Sequence, residues 1–378
     1  MNILHVASSL DPRGGGVAEA IRQTGAALVR AGHRTEVATV DAPGAEWLEG
    51  LPFPVHALGP SRGGYQYARG LENWLRARQE DFDCLITHGL WQHHGFAAWR
   101  AWRKKPRFVF THGMLDPWFK RTYPKKHLKK WLYWPWAEYR VLRDARAVFF
   151  TCEEERRLAR DSFWLYRANE VVNPLGIEEP PGDAERQREA FLARFPELRG
   201  RRLVLFLGRI TTKKGCDDLV VAWKQRAEGA TLVMAGPADE GFGDRLRAEA
   251  KDLPVCWTGM LTGDLKWGAL HAAEAFVLPS HQENFGIAVV EAMACGKPVL
   301  ISNQVNIWRE VQDDRAGLVA ADGPAGTAAL LAGWFALSAD ERDATGRRAR
   351  ASYGRRYQVD QATASLVEKL RGFLEADS

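Results

Sequence analysis

The chain has 378 residues, of which 46% are hydrophobic and 26% charged, and its net charge is +5. This length favours two domains, and the composition excludes a disordered chain, a fibrous repeat and a disulfide-rich miniprotein. No apolar run is long enough for a transmembrane helix, and the start MNILHV lacks a basic leader, so we expect no signal peptide. The five cysteines are odd in number and never spaced as CxxC, which favours a reducing cytoplasm without disulfides or a zinc site.

The predicted elements alternate between short apolar strands and longer helical segments. In the first half, the apolar runs predicted as buried parallel strands are Ile3–Ala7, Glu36–Val40, Cys84–Thr87, Phe108–Thr111 and Ala147–Thr151. Helical spacing falls between them at Val17–Ala31, Tyr65–Gln79 and His93–Arg103. In the second half, the predicted strands are Leu203–Leu207, Thr231–Ala235, Val255–Trp257, Ala275–Leu278 and Pro298–Ile301. This alternation predicts an α/β protein whose parallel sheets are covered by helices on both faces.

A segment rich in proline and glycine separates the two series. Residues 171–183 read VVNPLGIEEPPGD and have no helical period, which is typical of a linker. We therefore expect two doubly wound Rossmann-like domains, 1–175 and 186–355, joined by a linker at 176–185 and facing each other across a cleft. Residues 356–378 are predicted to form a last helix that either crosses back to the first domain or stays with the second. In such sheets, ligands bind beyond the carboxyl ends of the strands.

Positive charge is concentrated in one stretch of the first half. Residues 100–146 hold 14 basic and 3 acidic residues, and seven of the 15 tryptophans lie between Trp91 and Trp136. Basic residues mixed with aromatic ones suit an anionic membrane surface. A solvated basic face with its tryptophans in the core is the simpler alternative. We expect no nucleic acid as a partner, because no recognisable nucleic-acid-binding motif accompanies the charge.

Two loops, each following the first strand of its series, suit a phosphate group. The glycine triplet at 14–16 precedes a helix, so backbone amides and the positive helix N-terminus are available to an anion. The triplet is not a GxGxxG motif, and a flexible turn is its simpler interpretation. GRITTKKG at 208–215 also opens a helix, and its Arg209 and Lys214 suit a diphosphate and the charge that develops as a diphosphate leaves. A basic loop without a ligand is the alternative there.

The most specific pattern is PSHQENFGIAVVEAMACGKP at 279–298. Glu291 lies in an otherwise apolar predicted helix, and a buried carboxylate is costly unless it is paired or hydrogen-bonded. Two ribose hydroxyls would satisfy this carboxylate, and a nearby arginine is the structural alternative. Glu283 lies in the loop before the helix, where it can accept hydrogen bonds from sugar hydroxyls, and the amides of 284–286 are expected beside it.

Together these motifs resemble the retaining glycosyltransferases of family 4. Glu283 and Glu291 are spaced E-x7-E with N-F-G after the first glutamate, like the signature of that family, and GRITTKKG resembles its phosphate-binding stretch. The glycine triplet is similar as well, and so is the segment THGMLDPW, which contains His112. The resemblance covers nearly the whole chain.

The resemblance implies a GT-B fold with the nucleotide-diphosphate-sugar donor on the C-terminal domain and the acceptor on the N-terminal one. It implies that Arg209 and Lys214 hold the diphosphate, that Glu283 contacts the transferred sugar, and that Glu291 holds the ribose. It also implies donor contacts at Gly259, Met260 and Leu261, which would lie near the base, and at Asn284, Phe285 and Gly286.

On the N-terminal domain, the resemblance implies that Gly15 and Gly16 approach the phosphates when the domains close. It places His112 beside the sugar and the reacting centre. His88 stands in a matching position, because Thr-His-Gly follows a predicted strand at both sites, but for His88 a structural role is the simpler expectation.

The predicted function is transfer of a sugar, with retention of configuration, to a saccharide or lipid-linked saccharide at the inner face of the membrane. Bacterial surface polysaccharide, lipopolysaccharide and glycolipid synthesis all fit. No cofactor or metal is expected, because the cations replace a metal. We expect same-face attack, in which the leaving diphosphate takes the acceptor proton and His112 orients the sugar. A nucleotide-sugar epimerase or hydrolase and a non-catalytic nucleotide-sugar-binding protein stay open as alternatives.

Overall fold

The structure is a computed structural model that describes residues 1–227 and 229–376. The chain divides into two compact units. The N-terminal unit contains Met1–Ile177 together with the chain from Gln358 onward, and the C-terminal unit contains Glu178–Tyr357.

The N-terminal unit is built on a parallel sheet of seven strands in the order β3-β2-β1-β4-β5-β6-β7. These strands are β1 (Asn2–Ala7), β2 (Arg34–Thr39), β3 (Val55–Ala57), β4 (Cys84–His88), β5 (Arg107–Phe110), β6 (Ala147–Phe150) and β7 (Glu170–Val172). Its helices before residue 177 are α1 (Gly16–Arg30), α2 (Leu71–Ala77), α3 (His93–Ala101), α4 (Trp118–Thr122), α5 (Pro124–Tyr133), α6 (Glu138–Arg143) and α7 (Glu153–Ala159). The central strands are buried on both faces, which explains why they read as unbroken apolar runs.

The C-terminal unit repeats this architecture with six parallel strands in the order β10-β9-β8-β11-β12-β13. The strands are β8 (Arg202–Leu207), β9 (Ala230–Ala235), β10 (Val255–Gly259), β11 (Ala275–Leu278), β12 (Val299–Ser302) and β13 (Gly317–Ala320). The helices are α8 (Ala184–Arg194), α9 (Cys216–Arg226), α10 (Phe242–Glu249), α11 (Gly263–Ala272), α12 (Ile287–Ala294), α13 (Trp308–Asp313), α14 (Pro324–Ala336) and α15 (Ala339–Arg356). The predicted α/β fold class is confirmed for both units.

The last helix, α16 (Val359–Glu375), packs against α1 in the N-terminal unit. Arg30 on α1 forms an ion pair with Asp360 at 2.7 Å, and the Lys369 ammonium donates a hydrogen bond to the Val172 carbonyl at 2.9 Å. A Cβ atom on Gly176 would lie 2.6 Å from the Cα atom of Val359, so the chain passes close to the start of this helix.

Two local predictions were wrong. The segment read as a linker begins in strand β7, because Val171 and Val172 pair with Phe149 and Phe150 of β6. The helix predicted over Tyr65–Gln79 begins only at Leu71, since the backbone before it includes left-handed conformations that interrupt a helix.

Within the described residues, no helix combines the length and the apolar composition needed to cross a bilayer. All five cysteines are free thiols.

Candidate active site

The loop after β8 is held against the loop after β11 in the C-terminal unit. Gly215 has a left-handed φ of 66°, and a Cβ atom there would lie 2.1 Å from the Pro279 carbonyl oxygen. The His281 amide donates a hydrogen bond to the Lys213 carbonyl at 2.9 Å. Only glycine permits both the conformation and this close approach at position 215, so GRITTKKG lies beside the QENFG loop at the carboxyl edge of the sheet.

This approach brings Lys214 into contact with Glu283. The Lys214 ammonium donates a hydrogen bond to the Glu283 carboxylate, and the two side chains are only 22% and 20% exposed. Burial, together with the positive charges of Lys213 and Arg209, lowers the pKa of Lys214 to about 8. The Glu283 carboxylate favours the charged form of Lys214.

Arg209 completes the basic end of this site. Its side chain is exposed, and its charge acts on the Lys214 ammonium. Among the described residues, Arg209 forms no side-chain hydrogen bond or ion pair. The predicted pair of cations is therefore together at the edge of the sheet, with Lys214 held by a carboxylate and Arg209 open to solvent.

Glu291 is buried in α12 and pairs with a residue that the sequence did not reveal. Its carboxylate accepts a hydrogen bond from the Lys266 ammonium at 2.7 Å, and its side chain is 9% exposed. The structural alternative had assumed an arginine, and the partner is a lysine on α11. The available signal was Lys266 itself, which directly precedes the largely apolar segment WGALHA.

The residues that follow Glu283 are fixed by the neighbouring segment 304–306. The Glu283 amide donates to the Gln304 carbonyl at 2.9 Å, and the Asn284 side-chain oxygen accepts from the Asn306 amide group at 3.3 Å. Phe285 is 3% exposed and packs edge-on against the Tyr357 ring, so its side chain belongs to the core. Only the backbone of Phe285 is available to a ligand.

Gly286 ends this loop in a left-handed conformation, φ 73°, directly before α12. The segment proposed to lie near the base is at the end of β10, on the same carboxyl edge. Gly259 accepts a hydrogen bond from the Gly236 amide at 2.8 Å. Met260 is 72% exposed, whereas Leu261 is buried. Met260 is thus the side chain of this segment that is open to a ligand.

In the N-terminal unit, Gly15 and Gly16 form the start of the long helix α1. Gly15 has a φ of 92°, and a Cβ atom there would meet no atom within 4 Å. The backbone at the positive end of α1 is therefore unobstructed on this side, as an anion would require.

His112 follows β5 and belongs to a hydrogen-bonded chain of three histidines. Its Nε2 atom lies 3.0 Å from His88 Nδ1, and His88 Nε2 lies 2.8 Å from His5 Nδ1. Burial lowers the pKa of His112 to about 4, so its imidazole is neutral near pH 7. The sequence singled out His112 and His88 but missed His5, for which the signal was a polar residue inside the apolar run ILHVA.

The basic stretch 100–146 is divided between two places. Its first part and its last part meet before β5 and β6, where they line a cavity of about 660 Å³. The basic residues of this cavity are Arg103, Lys104, Lys105, Arg107, Arg143 and Arg146. Helix α5, in contrast, lies near the residues that follow β4, because Lys130 is 4.5 Å from the ring of Trp91. The stretch therefore does not form one continuous basic face.

The tryptophans are divided as well. Trp102 and Trp134 are buried in the core, as the simpler interpretation expected, whereas Trp131 and Trp136 are 42% and 69% exposed. Trp164, outside the predicted stretch, is 49% exposed and lies 5.9 Å from Trp131 between ring centres. An apolar surface thus combines α5 with a loop that the sequence did not connect to it.

The chain contains two pairs of adjacent aspartates, Asp217–Asp218 and Asp313–Asp314, and both have local roles in the fold. Asp217 and Asp218 open α9, and Asp314 accepts hydrogen bonds from Ser352 at 2.5 Å and Arg356 at 2.8 Å. Across residues 1–227 and 229–376, no group of three or more His, Cys, Asp and Glu side chains is arranged to hold a metal ion.

Comparison with known families accounts for most of the chain. Residues 15–176 match the glycosyl transferase 4-like domain, and residues 187–352 match glycosyl transferases group 1. The chain belongs to the group 1 glycosyltransferases of the family 4 type, with the GT-B fold, and the predicted family is confirmed.

Individual relatives support this assignment. The chain is 26% identical, over 80% of its length and 79% of the relative, to a GDP-mannose-dependent alpha-(1-6)-phosphatidylinositol dimannoside mannosyltransferase of Mycobacterium tuberculosis. Its structure is similar to that of HepE from Anabaena in complex with UDP and glucose, with a TM-score of 0.76, 19% identity, and coverage of 98% of this chain and 100% of HepE. Sucrose-phosphate synthase from Thermosynechococcus elongatus gives a TM-score of 0.77 at 20% identity, with both chains covered completely.

Proposed function

We propose that this glycosyltransferase moves a sugar, with retention of configuration and without a metal, from a nucleotide-diphosphate-sugar to a saccharide or lipid-linked saccharide. The observation that carries the proposal is the contact between Lys214 and Glu283 beside Arg209, at the carboxyl edge of the C-terminal sheet. Two fixed cations stabilise a diphosphate as it leaves, and this is the role that a metal has in other transferases.

In this proposal, the donor changes the partner of Lys214. A diphosphate carries more negative charge than a carboxylate, so it competes with Glu283 for the ammonium. Once released, the Glu283 carboxylate accepts hydrogen bonds from the hydroxyls of the transferred sugar. The ion pair therefore keeps both groups in place before the donor arrives.

Glu291 has the matching role for the ribose. Lys266 already contacts one oxygen of this buried carboxylate. A charged carboxylate is a strong acceptor for two ribose hydroxyls. The remaining donor contacts are proposed for the backbone of 284–286 and for the Gly259–Leu261 segment near the base.

From the N-terminal unit, Gly15 and Gly16 are proposed to approach the phosphates, and His112 is proposed to orient the sugar. With a neutral imidazole, His112 is suited to a hydrogen bond rather than to holding a charge. The leaving diphosphate takes the proton of the acceptor hydroxyl as that hydroxyl attacks on the same face of the sugar.

Relatives support the class of donor. One relative is named as GDP-mannose-dependent, and the HepE structure holds UDP and glucose. These names differ in base and sugar, so they favour a nucleotide-sugar donor without selecting one. Synthesis of a bacterial surface polysaccharide, lipopolysaccharide or glycolipid is the proposed setting.

Calorimetric titration with UDP, GDP and ADP tests the donor site. We expect one nucleotide to bind, and the Glu291→Ala variant to bind it more weakly by about 1.5 to 3 kcal/mol. Glu249→Ala is the matched control, since it removes an exposed glutamate on α10 for which no donor contact is proposed. If none of the nucleotides binds, the proposed donor class is wrong.

The reaction itself is tested by NMR of the product in the presence of EDTA. We expect turnover to require an acceptor, to continue in EDTA, and to give the anomer of the donor. An inverted anomer would contradict retention, and loss of activity in EDTA would contradict metal independence. Conversion of the donor without any acceptor would favour an epimerase or hydrolase.

We also propose that the enzyme works at the inner, anionic face of the membrane through a surface formed by α5 and the loop at 164–165. Leu128, Trp131 and Leu132 are exposed on one side of α5 at a spacing of three and four residues. The exposed lysines of the same helix supply the complementary charge, and Leu165 is 50% exposed beside them. Aromatic rings with lysines are typical of helices that lie in the headgroup region.

Sedimentation with vesicles of phosphatidylglycerol and phosphatidylcholine tests this surface. We expect binding at low salt that falls as salt is raised, and weaker binding for a Trp131→Ser, Leu132→Ser variant. Trp118→Ser is the control, because Trp118 is half-buried rather than exposed. Equal binding to neutral vesicles, or no binding at all, would contradict the proposal.

A further inference from the structure

Three neighbouring strands of the N-terminal sheet each contribute one histidine to a single chain of imidazoles. His5 lies within β1, His88 ends β4, and His112 lies two residues after the end of β5. The rings meet edge to edge, since the planes of neighbouring rings differ by 24° and 25° and the nitrogen atoms lie within 3.0 Å. His5 and His88 are buried, and His112 is half-buried at the carboxyl edge of the sheet.

All three imidazoles are neutral near pH 7. Burial lowers the pKa of His5 and of His112 to about 4, and it lowers the pKa of His88 well below its ordinary value. A neutral imidazole has one N–H donor and one bare nitrogen acceptor. The two hydrogen bonds of the chain must therefore run in the same direction, either from His5 toward His112 or from His112 toward His5.

The inner end of the chain decides between the two directions. His5 Nε2 is buried and has no hydrogen-bond partner among the described residues. If the bonds ran inward, His5 would accept at Nδ1 and its proton would be on Nε2, as a buried N–H without a partner. If they run outward, Nε2 is only an unused acceptor. Buried N–H groups without a partner are rarer and more costly, so the outward direction is favoured.

The outward direction fixes the tautomer at the other end. His5 Nδ1–H donates to His88 Nε2, and His88 Nδ1–H donates to His112 Nε2. Because Nε2 of His112 then accepts, its single proton is on Nδ1. Within the described part of the chain, Nδ1 of His112 makes no hydrogen bond, so this N–H is available to a substrate.

We infer that His5 and His88 are positioning residues, which hold His112 as an Nδ1–H donor aimed at an oxygen atom of the transferred sugar. This inference rests on the proposed function, which places His112 beside that sugar. The chain does not carry protons away, because it ends at a buried nitrogen without a partner. It orients His112, and it keeps Nδ1 from acting as a base while the chain is intact.

The inference is tested by NMR of protein labelled with 15N in histidine, because the shifts of the two ring nitrogens report which one is protonated. The His112 signals are assigned by their loss in the His112→Gln variant. In the wild-type enzyme we expect the proton on Nδ1. A proton on Nε2 of His112 would overturn the inference without any variant being made.

Two substitutions of His5 provide the matched pair. His5→Leu removes the donor that sets the direction, so we expect His112 to become a mixture of both tautomers. His5→Asn places an amide N–H close to the position of Nδ1, and we expect it to restore the wild-type tautomer. If His112 keeps its proton on Nδ1 in His5→Leu, then His5 does not set the tautomer.

Activity links the tautomer to transfer. Only the tautomer with its proton on Nδ1 of His112 is competent. We therefore expect kcat of His5→Leu to fall in proportion to the fraction of His112 that has lost this proton. In His5→Asn we expect kcat to recover. A loss of kcat in both variants, with the tautomer unchanged, would indicate a merely structural role and overturn the inference. The NMR result needs no donor, so it is independent of the proposed function, which fails if the wild-type enzyme transfers no sugar.

Discussion

The two units share one architecture but have opposite chemistry at the same edge of their sheets. In the C-terminal unit, the candidate residues are charged and are matched in ion pairs, Lys214 with Glu283 and Lys266 with Glu291. In the N-terminal unit, they are neutral imidazoles joined by hydrogen bonds. A parallel sheet thus positions side chains at its carboxyl edge, and the burial and pairing of those side chains decide whether the edge suits a charged or an uncharged group.

This difference matches the two parts of the proposed donor. A diphosphate needs fixed positive charge, whereas a sugar needs oriented donors and acceptors without net charge. The ion pairs also show how a free enzyme keeps buried charges without a ligand, because each carboxylate has a lysine beside it. The following changes test the comparison, beginning with the largest expected effect.

Removing the cation of the C-terminal site should have the greatest effect on transfer. In Lys214→Ala, the leaving diphosphate loses a fixed positive charge, so we expect kcat/KM to fall about 100- to 1,000-fold. Steady-state kinetics of transfer measures this loss. Lys213→Ala is the control, since it removes the neighbouring lysine of the same loop. Equal losses in both variants would mean that the site needs only general positive charge.

Substitution of Gly215 tests the close approach between the loop that carries Lys214 and the loop that carries Glu283. In Gly215→Ala, the new Cβ atom would lie 2.1 Å from the Pro279 carbonyl oxygen at a φ of 66°. We expect the free energy of unfolding, from urea midpoints, to fall by about 3 kcal/mol.

Gly70→Ala separates the conformation from the contact. Gly70 precedes α2 as Gly215 precedes α9 and is also left-handed, with a φ of 102°, but no atom lies within 4 Å of its Cβ position. We expect this control to lose only about 1 kcal/mol, which is the cost of the left-handed conformation alone. Similar losses at both glycines would show that the close approach to Pro279 is unimportant.

Breaking the second ion pair should destabilise the C-terminal unit. In Lys266→Met, the Glu291 carboxylate loses its lysine while 9% exposed, and we expect a loss of about 2 kcal/mol in the free energy of unfolding. Adding Glu291→Leu removes the buried charge and should recover most of this loss. Lys251→Met, at an exposed lysine, should change stability little. If the double variant is less stable than Lys266→Met, Glu291 is held by its other contacts.

The sequence predicted the central strands well, for a physical reason. Buried parallel strands are visible as apolar runs, and the E-x7-E spacing places both glutamates around one strand–loop–helix connection. The edge strands β3, β7 and β13 were missed because they are short and only half-buried, so they lack a distinct apolar run.

The partners of the site residues were harder to predict. Lys266 reaches Glu291 because of the way α11 packs in the fold, and His5 meets His88 because of the register between β1 and β4, in which His5 lies opposite Ile86. Neither packing nor register can be read from one sequence. For the same reason, charge along residues 100–146 does not show which edge of the sheet each basic residue reaches.

The smallest expected effect is the contribution of the three-histidine chain to the pH dependence of stability. The pKa of His5 is about 4 in the folded protein and close to 6.5 in the unfolded chain. Between these pH values, the unfolded chain therefore binds a proton at His5 that the folded protein does not bind. This contribution to stability is complete above pH 6.5 and is lost as pH falls toward 4. Between pH 7.5 and 5.5, we expect His5 alone to account for a loss of about 1.4 kcal/mol.

Comparison of the wild type with the His5→Leu variant isolates the contribution of His5 to this loss of stability. The variant should lose less stability than the wild type over the same pH range, by the amount that His5 contributed. Buried Glu138, whose pKa is raised to about 7, has the opposite dependence, because its protonated form is favoured in the folded state as pH falls. Glu138 is present in both proteins, so its effect cancels in the difference. If urea midpoints of the two proteins change equally between pH 7.5 and 5.5, His5 is charged in the folded state, and the N-terminal site is then ionic like its C-terminal counterpart.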